Sequence, residues 1–159
     1  GSPSQSEEGL AALRRSLTSE MALLGELAAQ LADQRAALAA DDTATLEAVI
    51  QQIGRTLLTL REARRQRGLL MELVSGEPGI GLRQLVESVR GPQAVAFGAQ
   101  CQALHQAAVS AGRELAINQS AIRRAIETGE RYLHALLTLP GFGQLDEPTP
   151  SGLLLNQRA

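Results

Sequence analysis

Five leucines that recur every seven residues near the N-terminus constrain the fold of this chain more than any other feature. Seven residues make two helical turns, so these side chains line one narrow stripe of a single helix. They are Leu10, Leu17, Leu24, Leu31 and Leu38. A second row, three residues further on, contains Leu13 and Leu27 and is interrupted by Glu20 and Gln34. Such a helix needs partner helices to bury its stripe, which favours a protein that holds other molecules over an enzyme.

The composition is typical of a helical bundle. The chain has 159 residues, enough for one domain with a substantial core. Hydrophobic residues make up 44% of it but aromatic residues only 2%, and the apolar residues are mainly Ala, Leu, Ile and Val. No stretch alternates apolar and polar residues as a half-buried strand does. We therefore predict an all-α, coiled-coil-like bundle.

Charge and cysteine content predict the compartment. The net charge of −2 gives no general attraction to nucleic acid or to an anionic membrane. Cys101 is the only cysteine and cannot form an internal disulfide, which fits a reducing environment. No run of about 18 apolar residues is present, and the N-terminus lacks the basic and apolar regions of a signal peptide. We expect a cytoplasmic protein without membrane insertion.

Polar and glycine-rich breaks divide the chain into helices. Ser4 and Glu7 have the spacing of a capping box, so the first helix is expected to begin near Ser4 or Ser6 and to end near Ala40. Residues 41–43 can cap a second helix, which ends at the glycines and proline of 76–81. Its predicted stripe is Leu46, Ile50, Ile53, Leu57, Leu60, Arg64, Met71 and Val74. An antiparallel hairpin is favoured over one bent rod because the two stripes then bury each other.

The second half of the chain predicts a short helix and a very long one. The short helix spans about Leu82 to Val89, and Pro92 suits the first turn of the last helix, which runs from about Gln93 to Leu137. At roughly 70 Å the last helix is longer than either hairpin arm, so part of it is expected to project or to bend. Residues 1–139 are predicted to form a single domain, and 140–159 a flexible tail.

No residue pattern indicates catalysis, a metal site or a cofactor. Cys101 and His105 share a helical face, but two ligands do not make a metal site, and we interpret them as a core thiol beside a surface histidine. A phosphate-binding loop is absent. The densest basic patch consists of Arg61, Arg64, Arg65 and Arg67. Because no aromatic residue interleaves with it, a solvated face or an acidic protein partner is favoured over nucleic acid.

The C-terminal half of the last helix is the best candidate for a binding surface. Its apolar stripe consists of Leu115, Ile122, Ile126, Leu133 and Leu137. Since this helix is longer than the helices it packs against, the stripe is expected to be exposed. An exposed apolar stripe can bind the apolar face of a client helix. Asn118 and Arg123 would set the polar register. Asn118 either is buried on the seam or lies where the seam rotates to solvent.

Two segments resemble FlgN-type flagellar export chaperones. They are QRAALAADDTATLE at residues 34–47 and LAINQSAIRR at residues 115–124. The resemblance implies a chaperone for hook–filament junction proteins that binds the disordered, helix-prone end of each client and hands it to the export apparatus. The loop after the last helix of the family often carries Tyr-Gly, which docks on the export gate protein FlhA. Phe142-Gly143 occupies that place here, without the tyrosine hydroxyl.

Two other functions stay open at this point. One is a coiled-coil scaffold or oligomerisation module without a secretion role, and the other is a nucleic-acid adaptor acting through Arg61–Arg67. The leucine stripe also leaves open whether the protein forms a homodimer. The identity of the client does not follow from the residues.

Overall fold

The computed structural model describes residues 3–139, and these form four helices and no strand. The helices are α1 (Pro3–Ala39), α2 (Thr43–Ser75), α3 (Leu82–Ser88) and α4 (Ala94–Leu137). The predicted all-α fold, with a helical hairpin, a short helix and a long C-terminal helix, is confirmed. The predicted tail at 140–159, with Phe142, lies outside the described residues.

Side-chain and glycine caps explain why the hairpin turns where it does. Asp42 caps α2, because its carboxylate accepts a hydrogen bond from the Thr45 backbone N–H at 3.1 Å and from the Thr45 hydroxyl at 2.6 Å. These bonds, the side-chain one first, hold the pKa of Asp42 below its usual value. At the other end Gly76 adopts φ 74°, a left-handed conformation, and its N–H donates to the Glu72 carbonyl.

The remaining helix ends differ slightly from the prediction. The first helix begins at Pro3, one residue before the predicted Ser4 cap, and proline suits a first helical turn because its missing N–H has no partner there. The short helix ends at Ser88 rather than Val89. Pro92 lies in the turn before α4, which begins at Ala94 rather than at about Gln93.

The leucine stripe of α1 is the centre of the core. Leu13, Leu17 and Leu31 are fully buried, and α2 packs antiparallel beside α1 across the turn at 40–42. The seven-residue repeat is buried at its first four leucines, and Leu38 at its end is half-buried. The buried hydrophobic residues that the other helices contribute to this core are Val49, Ile53, Leu60, Met71, Leu85, Phe97, Cys101, Leu104 and Ala111.

The predicted stripe of α2 is wrong at three positions, one of which is the exposed Arg64. Ile50 and Leu57 were expected to face α1, but they are 49% and 37% exposed. The positions just before them, Val49 and Thr56, are buried instead. Apolar residues at both 49 and 50 fit a helical period equally well, so the packing against α1 decides which of them turns inward.

The first part of α4 packs beside α1 in the same direction. The Gln100 side chain accepts a hydrogen bond from Arg14 Nε and donates to the Arg14 carbonyl at 2.8 Å. Further along both helices, Arg35 forms an ion pair with Glu114. Since both residue numbers rise together, the two helices are parallel, and α1 contacts α2 on one side and α4 on another.

One ion pair of this bundle joins a buried carboxylate to a partly exposed arginine. Glu20 interrupts the second row of α1, yet it is only 1% exposed, and Arg67 of α2 donates to its Oε2 atom at 3.1 Å. The other carboxylate oxygen, Oε1, is buried and has no hydrogen-bond partner among the described residues. Burial raises the pKa of Glu20, although the nearby charges of Arg67 and Arg64 act in the opposite direction.

The chain divides into two compact units within α4. The first ends at Ala116 and the second begins at Ile117. The first unit holds the hairpin, α3 and the first half of α4. The described part of the second unit is the C-terminal half of α4 with Thr138 and Leu139. That residues 1–139 fold as one domain stays a prediction.

Candidate partner-binding surface

One apolar stripe runs the length of α4 at constant helical phase. In the first unit its members are the buried residues Phe97, Cys101, Leu104 and Ala111. Steps of three, four and seven residues carry the same face onward into the second unit. We call the apolar positions there the C-terminal stripe: Ile122, Ile126, Leu133 and Leu137. A stripe of this kind can pack against another amphipathic helix.

The C-terminal stripe is less buried than its continuation in the first unit. Its four members are half-buried, whereas Phe97 has no exposed surface. Ile122 and Ile126 line one shallow, open depression on the helix surface together with Gln119 and Arg123. This combination of apolar floor and polar rim is suited to an aliphatic side chain from a partner.

The remaining predicted contact residues differ in accessibility. Leu115 is half-buried and belongs to the first unit, and Arg123 is exposed. Asn118 is 2% exposed, so the seam does not rotate to solvent at this turn. A polar side chain buried on an apolar seam restricts register at some loss of stability. Asn118 could contact a client only if its side chain became exposed when the client binds.

The structure adds two residues that the sequence analysis missed. Leu136 is half-buried and follows Leu133 by three residues, so it belongs to the same helical face. The three-residue spacing could have revealed it. Tyr132 is 65% exposed, and its ring presents both an apolar surface and a hydroxyl to solvent. No periodic signal marked Tyr132, because it lies at the edge of the stripe.

Cys101 and His105 line the same surface cavity between α3 and α4, but they differ in burial. Cys101 is buried in the core, and His105 is exposed. Among the described residues, no group of three or more His, Cys, Asp or Glu side chains could hold a metal ion. Burial raises the pKa of the Cys101 thiol to about 11, with the Arg67 charge acting weakly in the other direction. The thiol is therefore a core group, as interpreted from the sequence.

We expect Cys101 to react slowly with alkylating reagents while the protein is folded. A rise in pKa from 9.0 to about 11 lowers the thiolate fraction near pH 8 by about a hundredfold, and only the thiolate is nucleophilic. The measurement is the rate of labelling by iodoacetamide with and without denaturant. Equal rates in both conditions would show that Cys101 is accessible in the folded protein.

The basic patch is partly used inside the chain. Arg67 binds the buried Glu20, and Arg65 forms an exposed ion pair with Glu62 at 2.7 Å. Arg61 and Arg64 are exposed. Two of the four arginines thus have carboxylate partners of their own, which weakens the patch as a phosphate-binding surface.

Three further observations concern membrane insertion and similarity to known proteins. Within residues 3–139, no helix has both the length and the apolar character needed to cross a membrane. No curated protein and no solved structure matches the sequence. A protein-family model does match, over residues 9–141, which is most of the chain and includes nearly all of its helical part; the model is described as FlgN protein.

Proposed function

The chain belongs to the FlgN family of flagellar export chaperones, and we propose that it binds hook–filament junction proteins through the C-terminal stripe. In this proposal each client contributes a terminal segment that is disordered alone and becomes helical on α4. The chaperone then delivers the client to the export gate protein FlhA in the cytoplasm. The family match supports the chaperone role, and the residues of α4 support the location of the surface.

The observation that carries the proposed surface is the continuity of the α4 stripe. The face of α4 that is buried in the first unit continues in the second unit as half-buried isoleucines and leucines. An amphipathic client helix could bury the rest of these side chains. Full burial of one such side chain contributes about 1.5–3 kcal/mol, and a side chain that is already half-buried contributes less. Several together are enough for a reversible complex, because ordering the client offsets part of the gain.

Titration with a purified junction protein tests this surface. We expect saturable binding by isothermal titration calorimetry, with a negative heat-capacity change because apolar surface is buried. A client shortened by its terminal segment should not bind. A chaperone that binds the full and the shortened client equally well would exclude the proposed mode of recognition.

Phe142 is proposed to dock on FlhA rather than on the client. It lies between Gly141 and Gly143, five residues after the end of α4, and an aromatic side chain flanked by glycines can enter a partner's pocket with little backbone strain. We expect Phe142→Ala to lower affinity for the cytoplasmic domain of FlhA and to reduce client secretion. Client binding and thermal stability should not change.

The alternative for Phe142 is that its ring folds back on the chain. Unchanged FlhA affinity combined with a lower melting temperature would establish that alternative. Phe142→Tyr tests the missing hydroxyl directly. A gain in FlhA affinity would indicate that the hydroxyl has a hydrogen-bond partner on the gate.

A further inference from the structure

The outer face of α2 carries an apolar cluster that no residue of the described range 3–139 covers. Ile50, Leu57 and Leu58 are 49%, 37% and 67% exposed, and they lie within about two helical turns of one another. Single exposed leucines are common on protein surfaces, but a cluster on one helical face indicates an interaction site. Leu57 borders the buried face of α2, since it lies four residues after Ile53 and three before Leu60. Leu58 lies further round the helix, on the side away from the hairpin core.

Gly54 lies at the centre of this cluster, and no described residue packs against it. It is exposed within α2, and a Cβ atom added there would meet nothing within 4 Å. Glycine in a helix interior lowers stability relative to alanine. Because glycine has no side chain, it permits a second backbone to approach closely at that point.

The residues on either side of Gly54 are complementary to one another. Ile50 and Leu58 each lie four residues from it, and Glu47 and Arg61 each lie seven residues from it. Steps of four and seven residues keep all of them on the face of Gly54. Glu47 and Arg61 are exposed, and neither forms an ion pair among the described residues.

We propose that this face of α2 is a homodimer interface in which two copies pack antiparallel about a two-fold axis at Gly54. In a two-fold interface each residue meets the one at the same distance on the other side of the axis. Ile50 of one copy then contacts Leu58 of the second copy, and the two Gly54 backbones lie closest together. Glu47 of each copy lies opposite Arg61 of the other, which forms the ion pair twice.

The charges of Glu47 and Arg61 favour an antiparallel over a parallel arrangement of the two helices. They also favour a second copy of this chain over an unrelated partner. In a parallel pair Glu47 would face Glu47, and Arg61 would face Arg61, so like charges would repel at both ends of the contact. An unrelated helix would need a matching base and acid at the same distances from its own small residue. The second copy supplies this pattern by symmetry. The interface is small, so we expect a weak dimer in equilibrium with monomer.

Sedimentation equilibrium of the full chain over a range of concentrations tests the dimer. We expect the mean mass to rise from one chain toward two as concentration increases. Leu58→Glu should raise the dimer dissociation constant on the order of a hundredfold, because the symmetric change removes an apolar contact and adds a charge on both sides. Leu58 is largely exposed, so the variant should keep its helical circular dichroism signal.

Gly54→Ala separates the interface from ordinary helix propensity. At low concentration this variant should melt at a higher temperature than the parent, because alanine favours the helix. In sedimentation it should dimerise less, because the added methyl group keeps the helices apart. Gly68→Ala is the matched control: Gly68 is also exposed in α2 with open space around it, and in the proposed packing it lies beyond the second copy's α2. It should raise the melting temperature and leave dimerisation unchanged.

Charge exchange tests the orientation. Glu47→Arg and Arg61→Glu should each weaken the dimer, and the double exchange should restore it. A protein that stays monomeric at the highest attainable concentration would overturn the proposal. So would a dimer that is indifferent to Leu58→Glu and to charge exchange, since it would use another face. A monomer whose binding of a junction protein is lost with Leu58→Glu would show that α2 receives a client helix instead.

Discussion

Replacing both Ile122 and Ile126 with aspartate is expected to abolish micromolar binding of hook–filament junction proteins. Both side chains are half-buried and line the same depression on α4. A micromolar complex corresponds to about −8 kcal/mol, and the loss of two apolar contacts worth up to about 1.5–3 kcal/mol each moves it toward the millimolar range. Two carboxylates facing an apolar client add a desolvation penalty. Calorimetric titration of the client measures the effect.

The matched control lies on the opposite face of the same helix. Val109 and Ile117 are 41% and 51% exposed and are displaced from the α4 stripe. Their double replacement by aspartate introduces the same charge into the same helix, and client affinity should stay close to that of the parent. If the Ile122→Asp, Ile126→Asp variant loses its helical circular dichroism signal instead, these two residues belong to the folded core and the client surface lies elsewhere.

Removing the positive partner of Glu20 is expected to destabilise the bundle strongly. Arg67→Met leaves a carboxylate that is 1% exposed without its ion-pair partner at 3.1 Å. Breaking a fully buried ion pair from one side costs about 3–5 kcal/mol, and we expect the lower part of this range because the Arg67 side chain is 24% exposed. Urea denaturation followed by circular dichroism measures this. Arg65→Met is the control, because Arg65 pairs with Glu62 on the surface, and its loss should change the denaturation midpoint little.

The double variant Glu20→Leu, Arg67→Met tests the cause of the instability expected for Arg67→Met. It shows whether that instability comes from leaving the Glu20 carboxylate unpaired or from losing the attraction between the two residues. Replacing both partners by apolar side chains of similar size is often neutral or stabilising. We therefore expect the double variant to recover most of the stability that Arg67→Met loses. A double variant as unstable as Arg67→Met would indicate that the side chain of Arg67 stabilises the fold by its packing rather than by its charge.

The same pair predicts how stability depends on pH. Burial raises the pKa of Glu20 above its ordinary value of 4.5, so the folded state holds this proton more tightly than the unfolded state. The contribution of Glu20 to stability is therefore fully present below about pH 4.5 and is lost as the pH rises through the raised pKa. Glu20→Gln cannot titrate, and its melting temperature relative to the parent should increase over that interval. A constant difference across pH would contradict the raised pKa.

Helix positions followed from the sequence because their signals are local. Asp42, Gly76 and the seven-residue leucine repeat act through neighbouring backbone and side-chain groups, and each was recognisable in the chain. The inward face of α2 was not, because Val49 and Ile50 are both apolar and only packing against α1 distinguishes them. Burial of Glu20 was also beyond prediction, since its partner Arg67 lies on another helix.

For the candidate surface, too, the sequence predicted which residues share a helical face but not how far each is exposed. The period of the α4 stripe identified Ile122, Ile126, Leu133 and Leu137 as one face, because helical phase is a property of sequence spacing. How far each residue is exposed depends on three-dimensional packing. Spacing alone left two places for Asn118, and only the structure shows that it is buried. The cluster around Gly54 was not predicted, because helical spacing places Ile50 and Leu57 in the core.

The contacts between α1 and α4 join residues far apart in the sequence, and this separation limits the order in which the helices can pair during synthesis. The hairpin closes through a short turn, whereas Arg14 and Gln100 are 86 residues apart in the chain. Contacts between distant residues form later than local ones, so α1 and α2 can pair while the rest of the chain is still being translated. Until α4 emerges, the side of α1 that meets Gln100 and Glu114 faces water. The proposed client-binding segment is therefore made after the other three described helices, and a ribosome that stops before it releases a hairpin with an uncovered side.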